Sequence, residues 1–191
     1  LVAYSGFSAA NYLEQPYNPD LDFGTGDFCV MGWVKLNDLV YSRALVSRRG
    51  SNNLFQVVYD FSDGKLSFTI SNDTSFTDSD HVKSSVLPVN TWVYFCAVRS
   101  GSNLLMYTNG ALSNTTAIAN ATSSLSEADA TLQIGHRQDN VIPFISGSLA
   151  LLRISATAPT ADQIAKIYND EKVLFQENAQ ATLYGASDAV T

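Results

Sequence analysis

The sequence is poor in what metal capture, nucleic-acid binding or nucleophilic catalysis ordinarily needs. It has two cysteines, Cys29 and Cys96. Two cannot make a metal site alone, and their spacing fits no zinc pattern. Lysine and arginine total 11 against 18 acidic residues, a net charge of −7. A phosphate backbone is repelled by that balance, and no basic run offsets it, so nucleic acid is excluded as a partner. No apolar run approaches the roughly 20 residues of a membrane helix, which argues against insertion by a helix. No signal-peptide pattern is present, and Leu1 rather than Met stands first, as expected of a processed chain or a piece of a longer one. There are two histidines, His81 and His136, and no Gly-x-Ser-x-Gly elbow, so nucleophilic catalysis finds little support.

What is present is a core. The chain of 191 residues is 46% hydrophobic and 15% charged, the composition of one globular domain rather than a disordered segment. Short apolar runs alternate with turn residues. "DFCVMGWVKL" and "TWVYFCAVRS" are apolar on both alternating faces and suit central strands. "LFQVVYDF" and "KLSFTI" flank "SDG" as a hairpin. "NLLMYTNGALSNTT" is a second hairpin, with Asn109-Gly110 supplying the positive φ of a tight primed turn. "NYLEQPY", "ALVSRRG", "TLQIGH" and "GSLALLRIS" read as further strands, and "SNDTSFTDSDHVKSS", with His81, as a loop and edge. About a dozen strands at 8–12-residue spacing without interleaved helices predict an all-β sandwich.

One helix is predicted late, over 160–175. Thr160 and Gln163 form a capping box behind Pro159, and Ile164, Ile167, Tyr168 and Leu174 fall on one face. The domain is expected to span 1–177. Residues 178–191, "NAQATLYGASDAVT", carry little pattern and read as an extension toward a further module of the same polypeptide.

The order of motifs is more specific than any one of them. A strand with Tyr-x-Asn-Gly is followed by Ile-Gly, then "GSLALLRI", then "TADQIAKIY". This series resembles the laminin-G-like, concanavalin-A-like jelly-roll family, whose wider group includes the pentraxins, over about residues 4 to 172. The tail "DEKVLFQENAQATLYGASDAV" resembles the segment that follows such sandwiches in bacteriophage tail and fibre proteins. The resemblance implies a two-sheet antiparallel jelly-roll sandwich with one C-terminal helix. It also implies a role in recognition of cell-surface glycan or protein, in a virion tail or fibre or otherwise outside the cell, with a homo-oligomer such as a trimer formed through the parent protein.

Fold alone decides no function, which rests on individual residues. Jelly-roll hydrolases carry a signature resembling Glu-x-Asp-x-Glu, because two carboxylates must flank the glycosidic bond. Here Glu127 and Asp129 have the first spacing, but Thr131 stands where the third acid would fall, and "SLSEADA" reads as a solvated turn. The expectation is a protein that is not an enzyme. In pentraxins an Asp-Asn pair and an acidic-Gln-Asp run bind calcium. By that resemblance Asn52 and Asn53 match the pair, while Gln138 and Asp139 match the run, with Arg137 in the acidic place. A positive charge there weakens the site, because calcium affinity follows ligand charge, and leaves room for a single ion on Asn52, Asn53, Gln138 and Asp139. The same loops define a candidate ligand rim of Arg49, Asn52, Asn53, His136, Arg137 and Asn140. Asp20, Asp22 and Asp27 in "NPDLDFGTGD" are read as Asx-turn residues rather than metal ligands.

Pentraxins also bridge two core strands by a disulfide. Cys96 matches one partner, but Cys29 sits two residues early, a shift of about 6.8 Å along a strand. Cα atoms more than about 7 Å apart cannot be bridged, so reduced, buried thiols are expected. Trp33 and Trp92 are expected in the core. Tyr41, Tyr59, Phe76 and Phe144 are candidates for sugar-stacking rings. The sequons at Asn72, Asn114 and Asn120 would carry glycan only in a secreted eukaryotic protein.

Overall fold

The computed structural model describes residues 3–74, 79–120, 124–138, 143–144 and 146–176, without the side chain of Asn53. Two six-stranded antiparallel sheets form the sandwich. The first runs β1 (Tyr4–Ser5), β12 (Gly147–Ser155), β3 (Phe28–Leu36), β8 (Trp92–Ser100), β9 (Asn103–Thr108), β10 (Ala111–Ala117). The second runs β2 (Leu13–Gln15), β11 (Thr131–Ile134), β4 (Arg43–Arg49), β5 (Asn53–Asp60), β6 (Lys65–Ser71), β7 (Ser79–Val86). The predicted all-β jelly-roll sandwich with a single late helix is the fold observed. The boundary at 177 and the extension 178–191 lie outside the described residues.

Both predicted hairpins form. Asn109 (φ 49°) and Gly110 (φ 78°) turn β9 into β10, the positive pair that matches strand twist. Between the sheets, the inward residues of each strand make one apolar layer. Phe28, Val30, Val34 and Leu36 of β3 meet Phe55, Val57 and Tyr59 of β5 and Phe68 and Ile70 of β6, all buried. Phe28 anchors this layer, with Phe23 stacked on it at 4.5 Å and Phe55 tilted at 5.1 Å. Burying each such side chain stabilises by about 1.5–3 kcal/mol.

The outward residues of β3 and β8 are also apolar, which is why both strands read as two-faced. They are covered by α1 (Ala161–Glu171), which seats Ile164 against Cys29, Met31, Trp33, Tyr94, Cys96 and Tyr107. The capping box is present: Thr160 Oγ1 accepts from Gln163 N–H at 3.2 Å, and Gln163 Oε1 accepts from Thr160 N–H at 2.8 Å. Glu171 pins the far end, accepting from the Trp33 indole N–H at 2.8 Å and from Arg153 at 2.6 Å. A 3-10 turn, Lys172–Phe175, follows. Its tighter winding changes which side chains face the sheet. Leu174, placed by helical spacing on the buried face, is exposed, and Phe175 stacks on Trp33 at 4.0 Å in its stead.

Cys29 and Cys96 are free and buried. Cys29 lies opposite Val98 and Cys96 opposite Met31, so the two thiols share a face but stand two residues out of register. His81, expected in a loop, sits in β7 opposite Thr69, because the edge strand extends through the polar "SDHVKSSV".

Candidate functional site

Period two sends alternate residues of each strand of the second sheet to its outer face. There the register aligns one side chain from every strand into a polar row: Glu14 beside Gln133, Gln133 beside Ser47, Ser47 beside Gln56, Gln56 beside Thr69, Thr69 beside His81. Directly opposed side chains stand about 4.5–5.5 Å apart at Cβ, so the row is continuous across the whole sheet.

The chain leaving β11 folds back over one half of this row. Gly135 makes the turn with φ 77°, and a Cβ on it would lie 2.1 Å from the Phe7 ring, so glycine is required twice over. His136 then lies over the sheet, buried, stacked on Tyr12 at 4.3 Å. Its hydrogen bonding has one consistent direction. The Glu14 carboxylate accepts from Gln133 Nε2 at 2.7 Å, which leaves Gln133 Oε1 to accept from His136 Nδ1 at 2.9 Å. The imidazole is thus a strut, and it corrects the expectation of His136 on an open ligand rim. It buries Gln133 and Ser47 and aims the chain across the face. Arg137 then reaches Gln56, its Nη1 donating to Oε1 at 3.5 Å.

What stays open is a trough of about 320 Å³ lined by Ser42, Gln56, Val58, Asp60, Ser67, Thr69 and Arg137. It offers hydroxyls, a carboxamide, a guanidinium and a carboxylate around one small apolar floor residue. Its carboxylate end is partly neutralised by Lys83, which donates to Asp63 at 2.7 Å and Asp60 at 3.0 Å. Hydrogen bonds from Ser62 and Lys83 hold the Asp60 carboxyl below the usual aspartate range. Asp63, then Asp60, hold the Lys83 ammonium above its usual value. Two exposed rings stand at the Ser42 end. Tyr41 precedes Ser42 and is 62% exposed; Phe61, 55% exposed, donates its N–H to Ser42 Oγ at 3.4 Å.

Of the four rings proposed for sugar stacking, Tyr41 is exposed. Tyr59 and Phe144 are buried core residues, and Phe76 lies outside the described residues. Phe61 was missed by sequence reading, where "YDFSDG" showed a hairpin but not which of its rings stays outside.

The other predicted rim residues lie at the opposite end of β4. Arg49 pairs in register with Thr131. Asn52 is held by Glu127, which accepts from its backbone N–H and its Nδ2, both at 2.8 Å. Asp129 likewise accepts from the Ser51 N–H and hydroxyl at 3.0 and 2.6 Å. Glu127 and Asp129 are therefore loop braces and not a carboxylate pair facing a cleft. Below them Arg48, fully buried, donates to Asp22 and to the Leu125 carbonyl at 3.0 Å. Burial pushes the Asp22 carboxyl up, but hydrogen bonds from Arg48 and Tyr17 outweigh it and leave it below the ordinary range. Asp27 accepts from Gly101 N–H, so Asp22 and Asp27 of "DLDFGTGD" serve structure, while Asp20 enters through its backbone N–H, which donates to Asn18 Oδ1 at 2.9 Å.

Asp139, Asn140 and the Asn53 side chain lie outside the described residues. The described part of the calcium set, Asn52 and exposed Gln138, supplies no carboxylate. Among the described residues no group of three or more His, Cys, Asp or Glu side chains could hold a metal ion.

Comparison with known proteins matches residues 7–165 to the family described as the concanavalin A-like lectin/glucanases superfamily. None of the curated protein sequences matches this chain. Among solved structures, a native heptameric SAP-like pentraxin from Limulus polyphemus is similar at a TM-score of 0.65 and 21% identity, over 87% of this chain and 80% of that one. The botulinum neurotoxin serotype G binding domain is similar at 0.67 and 13% identity, over 88% and 42%. The neurotoxin DC binding domain, in complex with rat synaptotagmin II, is similar at 0.66 and 14% identity, over 83% and 40%. This chain thus spans less than half of either toxin domain. At such identities the likeness is one of fold.

Proposed function

The chain belongs to the concanavalin A-like lectin/glucanases superfamily, and on that premise we propose that it is a non-catalytic recognition module holding a cell-surface carbohydrate in the trough over β5 and β6. The observation that carries this reading is the trough itself: Gln56, Ser67, Thr69, Ser42, Asp60 and Arg137 converge on one open depression beside the exposed rings Tyr41 and Phe61. Sugars need that combination, hydroxyl-matching donors and acceptors with a flat apolar surface nearby. Opposite charges near the trough offset one another, which suits a neutral saccharide. The non-catalytic reading is supported by Glu127 and Asp129, both engaged in bracing Ser51 and Asn52 at the far end of β4. As parent we propose a phage tail or fibre protein, on the resemblance of the segment after the helix, with the module outside the cell, followed by further modules, and trimeric.

A glycan array with the wild-type chain and Gln56→Ala/Arg137→Ala tests the trough. Retention of a neutral glycan by the wild type and loss of it by the double variant is expected. Unchanged binding by the variant, or no retained glycan or host cell at all, would refute the assignment.

A second reading is a structural domain making only protein contacts. It is favoured by one observation, an apolar cleft of about 450 Å³ at the open edge of the sandwich, lined by Tyr4, Leu13, Ile134 and Leu149–Leu152. Leu151 sits there with φ 48° in a bulge of β12, and Tyr4 and Leu13 are exposed. Concentration-dependent self-association abolished by Leu13→Asp would favour this reading.

A further inference from the structure

The helix does not cover the whole outer face of the first sheet. Where the 3-10 turn ends, Phe175 stacks on Trp33 at 4.0 Å and tilts against Trp92 at 5.0 Å. Trp92 opposes Lys35 across β8 and β3, so the indole and the ammonium stem rise side by side from the same face. With Asn90 and Thr91 on one side and Leu174 and Gln176 on the other, they line a depression of about 400 Å³.

The two tryptophans of the chain have different fates. The Trp33 indole N–H is buried and satisfied by Glu171. Trp92, expected in the core, is only half-buried, and its indole N–H has no partner among the described residues. The same holds for the Lys35 ammonium and for the side-chain amides of Asn90 and Gln176, although the Asn90 backbone N–H is used, donating to Leu36 at 2.7 Å. Asn90 is also, among the described residues, one of four non-glycine residues with positive φ, at 57°, in the turn that presents it beside Trp92. An indole whose N–H meets no partner among the described residues, ringed by two amides and a cation, is arranged to take something polar and flat-faced.

We propose that this depression is a second binding site, for an acidic saccharide. A pyranose ring lies against Trp92, its hydroxyls meet the Asn90 and Gln176 amides, and its carboxylate pairs with Lys35. The cation selects the ligand class: a uronic or sialic acid unit gains an ion pair that a neutral hexose lacks. The site is on the opposite sheet from the trough and does not depend on it.

Because the chain has two tryptophans, the indole region of an amide-correlation NMR spectrum holds two signals, and the one missing in Trp92→Ala identifies Trp92. Titration of the whole chain with sodium glucuronate and with sialic acid is expected to shift the Trp92 signal and leave that of Trp33 in place. Glucose at the same concentrations should produce a shift at least about threefold weaker in apparent affinity, as fits loss of one exposed ion pair. Lys35→Met, a surface change that keeps the stem, should reduce glucuronate to the affinity of glucose. Gln56→Ala/Arg137→Ala should leave the titration unchanged, which separates failure of this site from failure of the trough. Equal response to glucose and glucuronate, an unaltered titration in Lys35→Met, or no movement of the Trp92 signal would each overturn the proposal.

Discussion

Replacing Asp22 by alanine isolates a buried charge. Arg48 is fully buried, and its guanidinium meets Asp22 through Nη2 and the Leu125 carbonyl through Nη1, while its Nε finds no partner among the described residues. Asp22→Ala leaves that cation under the sandwich without its counter-ion. Breaking a buried pair from one side costs about 3–5 kcal/mol. For a domain of this size each kcal/mol lowers the melting temperature by about 2–4 °C, so a drop of about 6–20 °C is expected. Loss of the accepted bonds from Tyr17 at 2.9 Å and Glu127 N–H at 3.3 Å adds to the lower bound. Calorimetry on Asp22→Ala, Arg48→Met and the double variant gives the cycle. The double variant should recover stability relative to Asp22→Ala, because no charge is then stranded. Strict additivity, or a drop in Asp22→Ala below about 2 °C, would refute the buried-pair account. A melting temperature that becomes insensitive to added calcium only in Asp22→Ala would instead make this aspartate a metal ligand.

Further outcomes can be checked with the same preparations. Asp38, held at about 2 by hydrogen bonds from Ser146, the Val40 N–H and Arg43, is joined by Asp22 and Asp60 in having a depressed carboxyl. Their stabilisation is therefore complete above the unfolded aspartate value of about 3.9 and is lost as pH falls from there through their folded values. Melting temperature should accordingly fall steeply between about pH 4 and 2, and Asp38→Asn should flatten that slope. Lys83 runs the other way: its raised value makes its contribution full below the ordinary lysine value of 10.5 and lost above it, so Lys83→Met should remove part of any alkaline destabilisation. Unfolding without reductant should expose two titratable thiols, Cys29 and Cys96; none would mean a bridge. A chelator is expected to move the melting temperature by less than about 1 °C, and a larger fall would show that an ion supports the fold, with Asn52, Asn53, Gln138 and Asp139 as the set to substitute.

Much of the architecture was legible because local chemistry and periodicity carry it. Asn109-Gly110 fixes one hairpin, the Thr160/Gln163 box fixes the start of the helix, and the two-faced runs around Cys29 and Cys96 announce strands covered on both sides. The two-residue cysteine offset was legible only through the resemblance to pentraxins, and the register of β3 against β8 bears it out. The helix end could not be, because the switch to 3-10 winding at Lys172 exchanges Leu174 for Phe175. His81 fell on the wrong side of a strand boundary for the same kind of reason: "SDHVKSS" pairs with β6 although its residues have little intrinsic strand preference.

The candidate site was legible only in fragments. Sequence spacing brought out Arg137, and His136 beside it, as loop residues after "LQIG". It could not show that the Gly135 turn would bury one and lay the other across Gln56. Gln56, Ser67 and Thr69 were invisible, each an ordinary polar residue on the alternating face of a strand. What the sequence determined by itself is the period: which residues face in, which face out, and that the inward ones suffice for a sandwich core. What the tertiary structure decided is the alignment of those outward residues across six strands, of which β2 and β11 join four consecutive ones from far along the chain, and which part of the opposite face the helix covers. Alternation is a property of one chain segment, whereas register and cover are set by packing between segments.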